Sequence, residues 1–195
     1  SVVHSLLGLV ISLLLVFRTN SAYERWWEGR KLWGSLVNSA RNLALKLDAF
    51  LPDEHSSRTL LATVIGDYAL VLKDHLRGHK PRHLAASVQH APNHVAMHMF
   101  RSVDRLYRSG DLSGEQLLLL NNDLSAFTDI CGACERIRKT PIPYSYSLFL
   151  KKFIFAYIVS MPFCFVPQFG YWTVLLTLFM FYVLGSLELI AEEVE

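Results

Sequence analysis

The segment from Phe153 to Leu187 contains no Asp, Glu, Lys or Arg, although charged residues make up 18% of the chain. A soluble protein of 195 residues would have to bury this whole segment in its interior. A transmembrane helix needs about 20 apolar residues, so the segment is long enough for two helices that cross a bilayer. Its middle, PQFGYW at 167–172, combines the helix breakers Pro167 and Gly170 with two aromatic residues typical of the membrane interface. We therefore predict a transmembrane hairpin over residues 153–187 with its turn at PQFGYW.

A second apolar segment occupies the start of the sequence, from Ser1 to Phe17. No basic residues precede its apolar part and no small-residue cleavage site follows it, so it does not have the pattern of a signal peptide. We interpret residues 1–17 as a transmembrane helix that the sequence enters part-way. We expect an upstream first span to be missing from this chain.

Clusters of basic residues predict on which side of the membrane the remaining segments lie. One cluster follows the first span, between Arg18 and Lys31, and another precedes the hairpin, between Arg136 and Lys152. Short segments next to transmembrane helices carry more Lys and Arg on the cytoplasmic side. Residues 18–150 are therefore expected in the cytoplasm, and the hairpin turn is expected outside.

The segment 18–150 has the pattern of α-helices. Apolar residues recur every three or four residues from Trp26 to Leu47, which predicts that the first span continues as a helix to about Phe50, with a bend at RTNS (18–21). Further helices are predicted at 57–77, 93–109 and 114–137.

Turn and capping residues separate these predicted helices. Ser113 is the expected N-cap of the helix at 114–137, and Pro81 and Pro92 interrupt the segment between the second and third helices. No alternating run typical of a β-strand occurs. The predicted fold class is an all-α integral membrane protein, one domain over residues 1–195, in which transmembrane helices continue into a cytoplasmic helical bundle.

Composition and motifs exclude several classes of function. A net charge of +2 is too small to indicate a nucleic-acid partner. No phosphate-binding glycine loop, nucleophile elbow or dinucleotide-binding fingerprint occurs, so we expect no enzyme activity and no cofactor. The CGAC motif at 131–134 lacks a second cysteine pair, and we interpret it as two thiols packed in a helical core.

Three histidines, His90, His94 and His98, are the candidates for a metal site. His94 and His98 are four residues apart, so both lie on one face of a helix and could bind one ion. No acidic third ligand is evident nearby in the sequence, and the absence of a metal is the main expectation.

Leu9, Leu13 and Phe17 follow one another at intervals of four residues and therefore lie on one face of the first span. The spacing alone favours a stripe that faces lipid or packs against another helix. The alternative is a hydrophobic constriction, which forms if several copies of this helix surround a pore.

Three separated motifs resemble the prokaryotic bestrophin family: FRTNSAYERWWEGRKLWG (17–34), CGACERIRKTPIPYSYSLFL (131–150) and LGSLELIAEEVE (184–195). The resemblance implies a homopentameric, mostly helical ion channel whose second transmembrane helix lines a narrow neck. In the family, that neck consists of three apolar residues spaced by four, just before the RWW motif. The matching positions here are Leu9, Leu13 and Phe17, so the resemblance favours the pore interpretation of this stripe.

The resemblance also implies a second constriction at the cytoplasmic mouth of the pore, at the start of the helix that leads to the CG motif. Leu112 is the position that corresponds to it. Animal bestrophins bind calcium with a run of consecutive acidic residues after the last span, and AEEVE at 191–195 departs from that pattern.

The function expected from these observations is passive conduction of monovalent ions, limited by a hydrophobic neck. The family resemblance implies a preference for cations in prokaryotic bestrophins and for chloride in animal ones. A cation such as sodium is therefore expected, with an anion-selective channel as the alternative. A membrane metal transporter or sensor that uses the three histidines is a further alternative. The expected partners are four further copies of the chain, monovalent ions and lipid, in the inner membrane of a bacterium.

Overall fold

The computed structural model describes residues 2–79 and 88–194, which form α-helices and, within these ranges, no strand. The all-α prediction is confirmed. The helices predicted at 57–77, 93–109 and 114–137 agree with the structure to within two residues at each end. Pro81 lies outside the described residues. The helices are α1 (Val2–Phe50), α2 (Ser57–Leu76), α3 (Ala91–Arg108), α4 (Gly114–Lys139), α5 (Tyr144–Phe169) and α6 (Trp172–Val194).

Helices α1, α5 and α6 are each long and apolar enough to cross a membrane. The hairpin of α5 and α6 turns at Gly170, inside the predicted PQFGYW segment. Gly170 has a φ of +51°, a left-handed conformation that glycine adopts without a steric penalty, and its N–H donates to the carbonyl of Val166 at 2.9 Å. Helix α5 begins at Tyr144 rather than at Phe153, because the helix continues beyond the uncharged segment and includes Lys151 and Lys152.

Helix α1 runs without interruption from the first apolar segment into the charged, tryptophan-rich one. The backbone stays helical through 18–21, the residues at which a bend is predicted. No proline or glycine lies between Leu9 and Glu28, and the Thr19 hydroxyl donates to the carbonyl of Leu15 at 2.9 Å inside the same helix.

The chain divides into two compact units. The span unit consists of Ser1–Glu28 and Thr140–Glu195, and the bundle unit consists of Gly29–Lys139. These boundaries differ from the expected membrane boundaries near residues 17 and 150, because α1 and α5 extend as helices beyond their apolar segments.

Each unit has its own hydrophobic core. In the bundle unit, buried apolar residues of α1, α2, α3 and α4 form one cluster, and the Tyr68 hydroxyl donates to the carbonyl of Phe127 at 2.8 Å within it. The predicted cap of α4 is confirmed: Ser113 accepts from the Gln116 N–H at 3.2 Å, and the Gln116 side chain accepts from the Ser113 N–H at 2.8 Å. The core of the span unit contains Ile11, Leu15, Leu150, Ile154, Tyr157, Ile158, Met161 and Leu184.

Candidate functional site

The stripe of Leu9, Leu13 and Phe17 is exposed in the single chain, with 68, 54 and 56% of each residue accessible. The buried residues of the same helical segment, including Ile11 and Leu15, lie on the other side of α1. At 3.6 residues per turn, the centres of the two stripes are roughly 170° apart around the helix axis. The stripe therefore does not pack against the described helices of its own chain. It faces lipid, a neighbouring chain or a pore.

Close contacts hold the opposite face of α1 against α5. A Cβ atom added to Gly8 would lie 2.7 Å from the Tyr157 hydroxyl oxygen, so only glycine permits this approach. The Tyr146 hydroxyl donates to the backbone carbonyl of Leu14 at 3.1 Å. Glycine at a close helix contact is typical of membrane helix packing, because lipid supplies no hydrophobic force that drives helices together.

A buried ion pair follows directly after the stripe. The guanidinium of Arg18 contacts the carboxylate of Glu188 on α6, and their side chains are 1 and 9% exposed. Lys151 on α5 lies 4.0 Å from the same carboxylate and 2.9 Å from that of Glu192. Two basic and two acidic side chains thus link the three candidate transmembrane helices of the span unit. Sequence reasoning missed this group of charges. The local signal for it is that a charged residue directly follows each apolar segment, Arg18 after residues 1–17 and Glu188 after residues 153–187.

Beyond Phe17, the face of the stripe becomes polar. Glu24 is exposed, and its direction around the α1 axis is within about 20° of the centre of the stripe. A carboxylate at this position lies close to any ion that passes along this face.

Leu112, the predicted constriction of the cytoplasmic mouth, is 3% exposed and belongs to the core cluster of the bundle unit. Its side chain therefore contributes to packing within the chain rather than to a surface. Six residues further along, on α4, Leu118 is 74% exposed. A constriction at this level of the pore stays a prediction, and an exposed neighbour such as Leu118 suits it better than Leu112.

The CGAC motif lies in α4, where Cys131 and Cys134 are free thiols buried in the bundle core. Burial raises the pKa of the Cys131 thiol to about 11, with a further contribution from the nearby Glu135 carboxylate. The thiol is therefore protonated at neutral pH. The interpretation of the motif as packed thiols is confirmed.

The three candidate histidines do not form one group of metal ligands among the described residues. His94 and His98 pair with each other, their Nε2 atoms 3.1 Å apart. His90 instead contacts Glu135 of α4, which His75 of α2 also contacts. Sequence reasoning missed His75 and Glu135, because they are far from His90 along the chain.

The whole chain, residues 1–195, matches the family model described as bacterial/fungal bestrophin protein. The chain belongs to this family. That assignment confirms the resemblance carried by the three motifs, and the family is one of membrane ion channels rather than enzymes.

Similar proteins of known sequence extend beyond the chain. It is 35% identical over 205 residues to the voltage-dependent anion channel-forming protein alr2987 of Nostoc sp., an alignment that covers 96% of the chain and 66% of that protein. It is 32% identical to the voltage-dependent anion channel-forming protein YneE of Escherichia coli K12, with coverage of 98 and 66%. The chain thus spans just under two thirds of the length of these curated relatives.

A solved structure has the same fold. The crystal structure of a bacterial bestrophin homologue from Klebsiella pneumoniae matches with a TM-score of 0.93 at 29% identity, over 98% of this chain and 76% of that one. The names of the sequence relatives do not support the cation preference expected from the sequence, and they favour the anion alternative.

Proposed function

We propose that five copies of this chain surround a central axis and form a passive ion channel, with Leu9, Leu13 and Phe17 of each copy lining its neck. The observation that carries the proposal is the exposure of these three side chains opposite the packed face of α1. Membership in the bestrophin family supports the channel, and the resemblance of the motifs supports the number of copies. The channel resides in the inner membrane of a bacterium, in contact with lipid.

A ring of five leucine or phenylalanine side chains provides no polar group that replaces the hydration shell of an ion. Ions pass such a neck when it is wide enough to remain hydrated or when it dilates. Because the neck itself is uncharged, the choice between anions and cations depends on charged side chains at its ends.

We propose that the conducted ions are anions, which is what the names of the relatives in Nostoc and Escherichia coli support. A second candidate, cation conduction, is favoured by Glu24. Five copies of this exposed carboxylate beyond the neck would raise the local concentration of cations.

The reversal potential of the purified protein in planar bilayers, measured in a sodium chloride gradient, distinguishes the two candidates. We expect a potential near the chloride equilibrium potential. A potential near that of sodium would establish the second candidate, and the absence of any current would contradict the channel.

Neutralisation of one carboxylate tests the contribution of Glu24. If Glu24 faces the pore, Glu24→Gln shifts the reversal potential towards the equilibrium potential of chloride, since it removes one negative charge per chain. Glu193→Gln is the matched control, because Glu193 is an exposed carboxylate on α6. Equal shifts in both variants would show that Glu24 has no specific effect on ions in the pore.

A further inference from the structure

Side chains from three helices of the bundle unit meet at one carboxylate oxygen. His75 lies in the last turn of α2, His90 is the N-cap of α3, and Glu135 is close to the C-terminal end of α4. The Nε2 atoms of His75 and His90 lie 2.6 and 2.8 Å from the same atom, Oε1 of Glu135. Among residues 2–79 and 88–194, this is the group of three ligand-type side chains whose donor atoms all lie within 4.8 Å of one another.

The three side chains are partly buried but open to solvent, with exposures of 22% for His75, 34% for His90 and 20% for Glu135. An ion from solution can therefore reach them, and the surrounding protein restricts their motion. Two imidazole nitrogens and one carboxylate oxygen are a ligand set that zinc accepts in proteins, with water in the fourth position.

The charge of Glu135 suits a cation. Partial burial raises its pKa, but hydrogen bonds from His75 and His90 outweigh that effect, and the net result is a pKa below the ordinary value. The carboxylate is therefore ionised at neutral pH. The charged groups nearby are Lys139, with its Nζ 3.9 Å from the other oxygen of Glu135, and Arg138, which donates to the backbone carbonyl of His75 at 3.0 Å.

The simpler alternative is a hydrogen-bonded triad that binds no metal and only stabilises the fold. The two alternatives require different protonation of the His90 ring. Nδ1 of His90 accepts from the backbone N–H of Asn93 at 3.2 Å, so Nε2 carries the proton that is donated to Glu135 in the neutral ring. Binding a metal through Nε2 requires the proton to move to Nδ1, which removes this cap of α3. The loss of one helix cap is small compared with the apparent binding energy of a structural zinc site.

The required rearrangement is small. Zinc bonds of about 2.0–2.2 Å at tetrahedral angles place neighbouring ligand atoms about 3.4 Å apart. The nitrogen–oxygen distances of 2.6 and 2.8 Å must therefore increase by roughly 0.7 Å, a change that small rotations of these partly buried side chains can provide.

We propose that His75, His90 and Glu135 form a binding site for a zinc-type divalent transition metal ion, which links the ends of α2, α3 and α4. The ion replaces the shared hydrogen bonds of the triad. Because the ligands come from three helices, binding stabilises the bundle unit and does not depend on the ion that passes through the pore.

Zinc titration of the detergent-purified chain tests the site by isothermal calorimetry and thermal unfolding. We expect about one ion per chain and a melting temperature that increases with zinc concentration, as mass action requires for a ligand of the folded state. Affinity should fall at least tenfold in His75→Gln and in Glu135→Gln.

The double variant His94→Gln/His98→Gln is the matched control, because it removes two neighbouring histidines that face each other. We expect it to bind zinc as the unchanged chain does. Cobalt(II) added to the unchanged chain provides a measurement that needs no variant, since its visible absorption reports a tetrahedral nitrogen and oxygen environment. No binding by the unchanged chain, equal binding by His75→Gln, or loss of binding in the control would overturn the proposal.

Discussion

The buried guanidinium of Arg18 determines how α1 is rotated against the hairpin of α5 and α6. Burying an ion costs several kcal/mol unless a partner compensates it, and Glu188 on α6 is that partner. Rotating α1 by one residue would move the guanidinium by about 100° around the helix axis, away from the carboxylate. Since Phe17 immediately precedes Arg18, the same ion pair fixes the direction in which the Leu9, Leu13 and Phe17 stripe faces.

A comparison of Leu112 with Leu118 tests where the cytoplasmic mouth is narrow. Leu112→Ala should lower the free energy of unfolding by about 2–5 kcal/mol, because it removes a buried side chain from the bundle core. Leu118→Ala should leave stability nearly unchanged and, if its side chain narrows the mouth, should raise the single-channel conductance. Denaturant unfolding and single-channel recording measure the two effects.

The opposite pattern would reassign the constriction. Higher conductance in Leu112→Ala with unchanged stability would show that Leu112 faces the lumen in the assembled channel. Unchanged conductance in both variants would place the constriction elsewhere.

At the scale of helices, truncating the side chains of the α1 stripe should have opposite effects on the current if the stripe lines a pore and if it packs against another helix. In the proposed pentamer, Leu13→Ala would remove three carbons from each of five side chains, which would widen the neck and lower the barrier to wetting. We therefore expect larger currents and an unchanged oligomeric state, with Leu9→Ala and Phe17→Ala behaving similarly. Single-channel recording and native mass spectrometry of the purified protein measure both properties.

Two matched variants separate this effect from general consequences of truncation. Ile11→Ala lies on the packed face of α1, where the residue is 1% exposed, and should destabilise the span unit by about 2–5 kcal/mol without enlarging the current. Leu178→Ala, on the exposed surface of α6, should change neither property. Loss of both assembly and current in all three stripe variants would show that the stripe packs against a neighbouring chain.

Local patterns were sufficient to predict the helices, the Ser113 cap and the turn at Gly170, because each depends on residues only a few positions apart. They also identified the stripe of α1, although its spacing is equally typical of a packing surface. The contacts of Arg18 with Glu188 and of His75 and His90 with Glu135 were not predictable in this way, since each joins residues far apart in the chain. The burial of Leu112 in the single chain was not predictable either, because a position near a helix start does not reveal which face packs inward, and its role at the cytoplasmic mouth stays a prediction.

At the scale of the whole molecule, the α1 helix of one chain cannot by itself enclose the proposed pore. The proposed pentamer would supply the other walls, and the distribution of basic residues predicts its orientation in the membrane. Basic residues between Arg18 and Lys31, and between Arg136 and Lys152, flank the segment that we assign to the cytoplasm. This orientation places the α5–α6 turn outside the cell.

Cysteine labelling in intact cells tests that orientation with two probes. Cys164→Ser reduces labelling of the chain's own cysteines, since Cys164 is partly exposed whereas Cys131 and Cys134 are buried in the bundle core. On this background, we expect Gln168→Cys, exposed beside the turn, to react with a membrane-impermeant maleimide. Ser56→Cys, exposed just before α2, should react only after the membrane is permeabilised, because the reagent does not cross the bilayer and the basic clusters predict that this segment is cytoplasmic. Reaction of Ser56→Cys in intact cells, with protection of Gln168→Cys, would reverse the assignment and place the bundle unit outside.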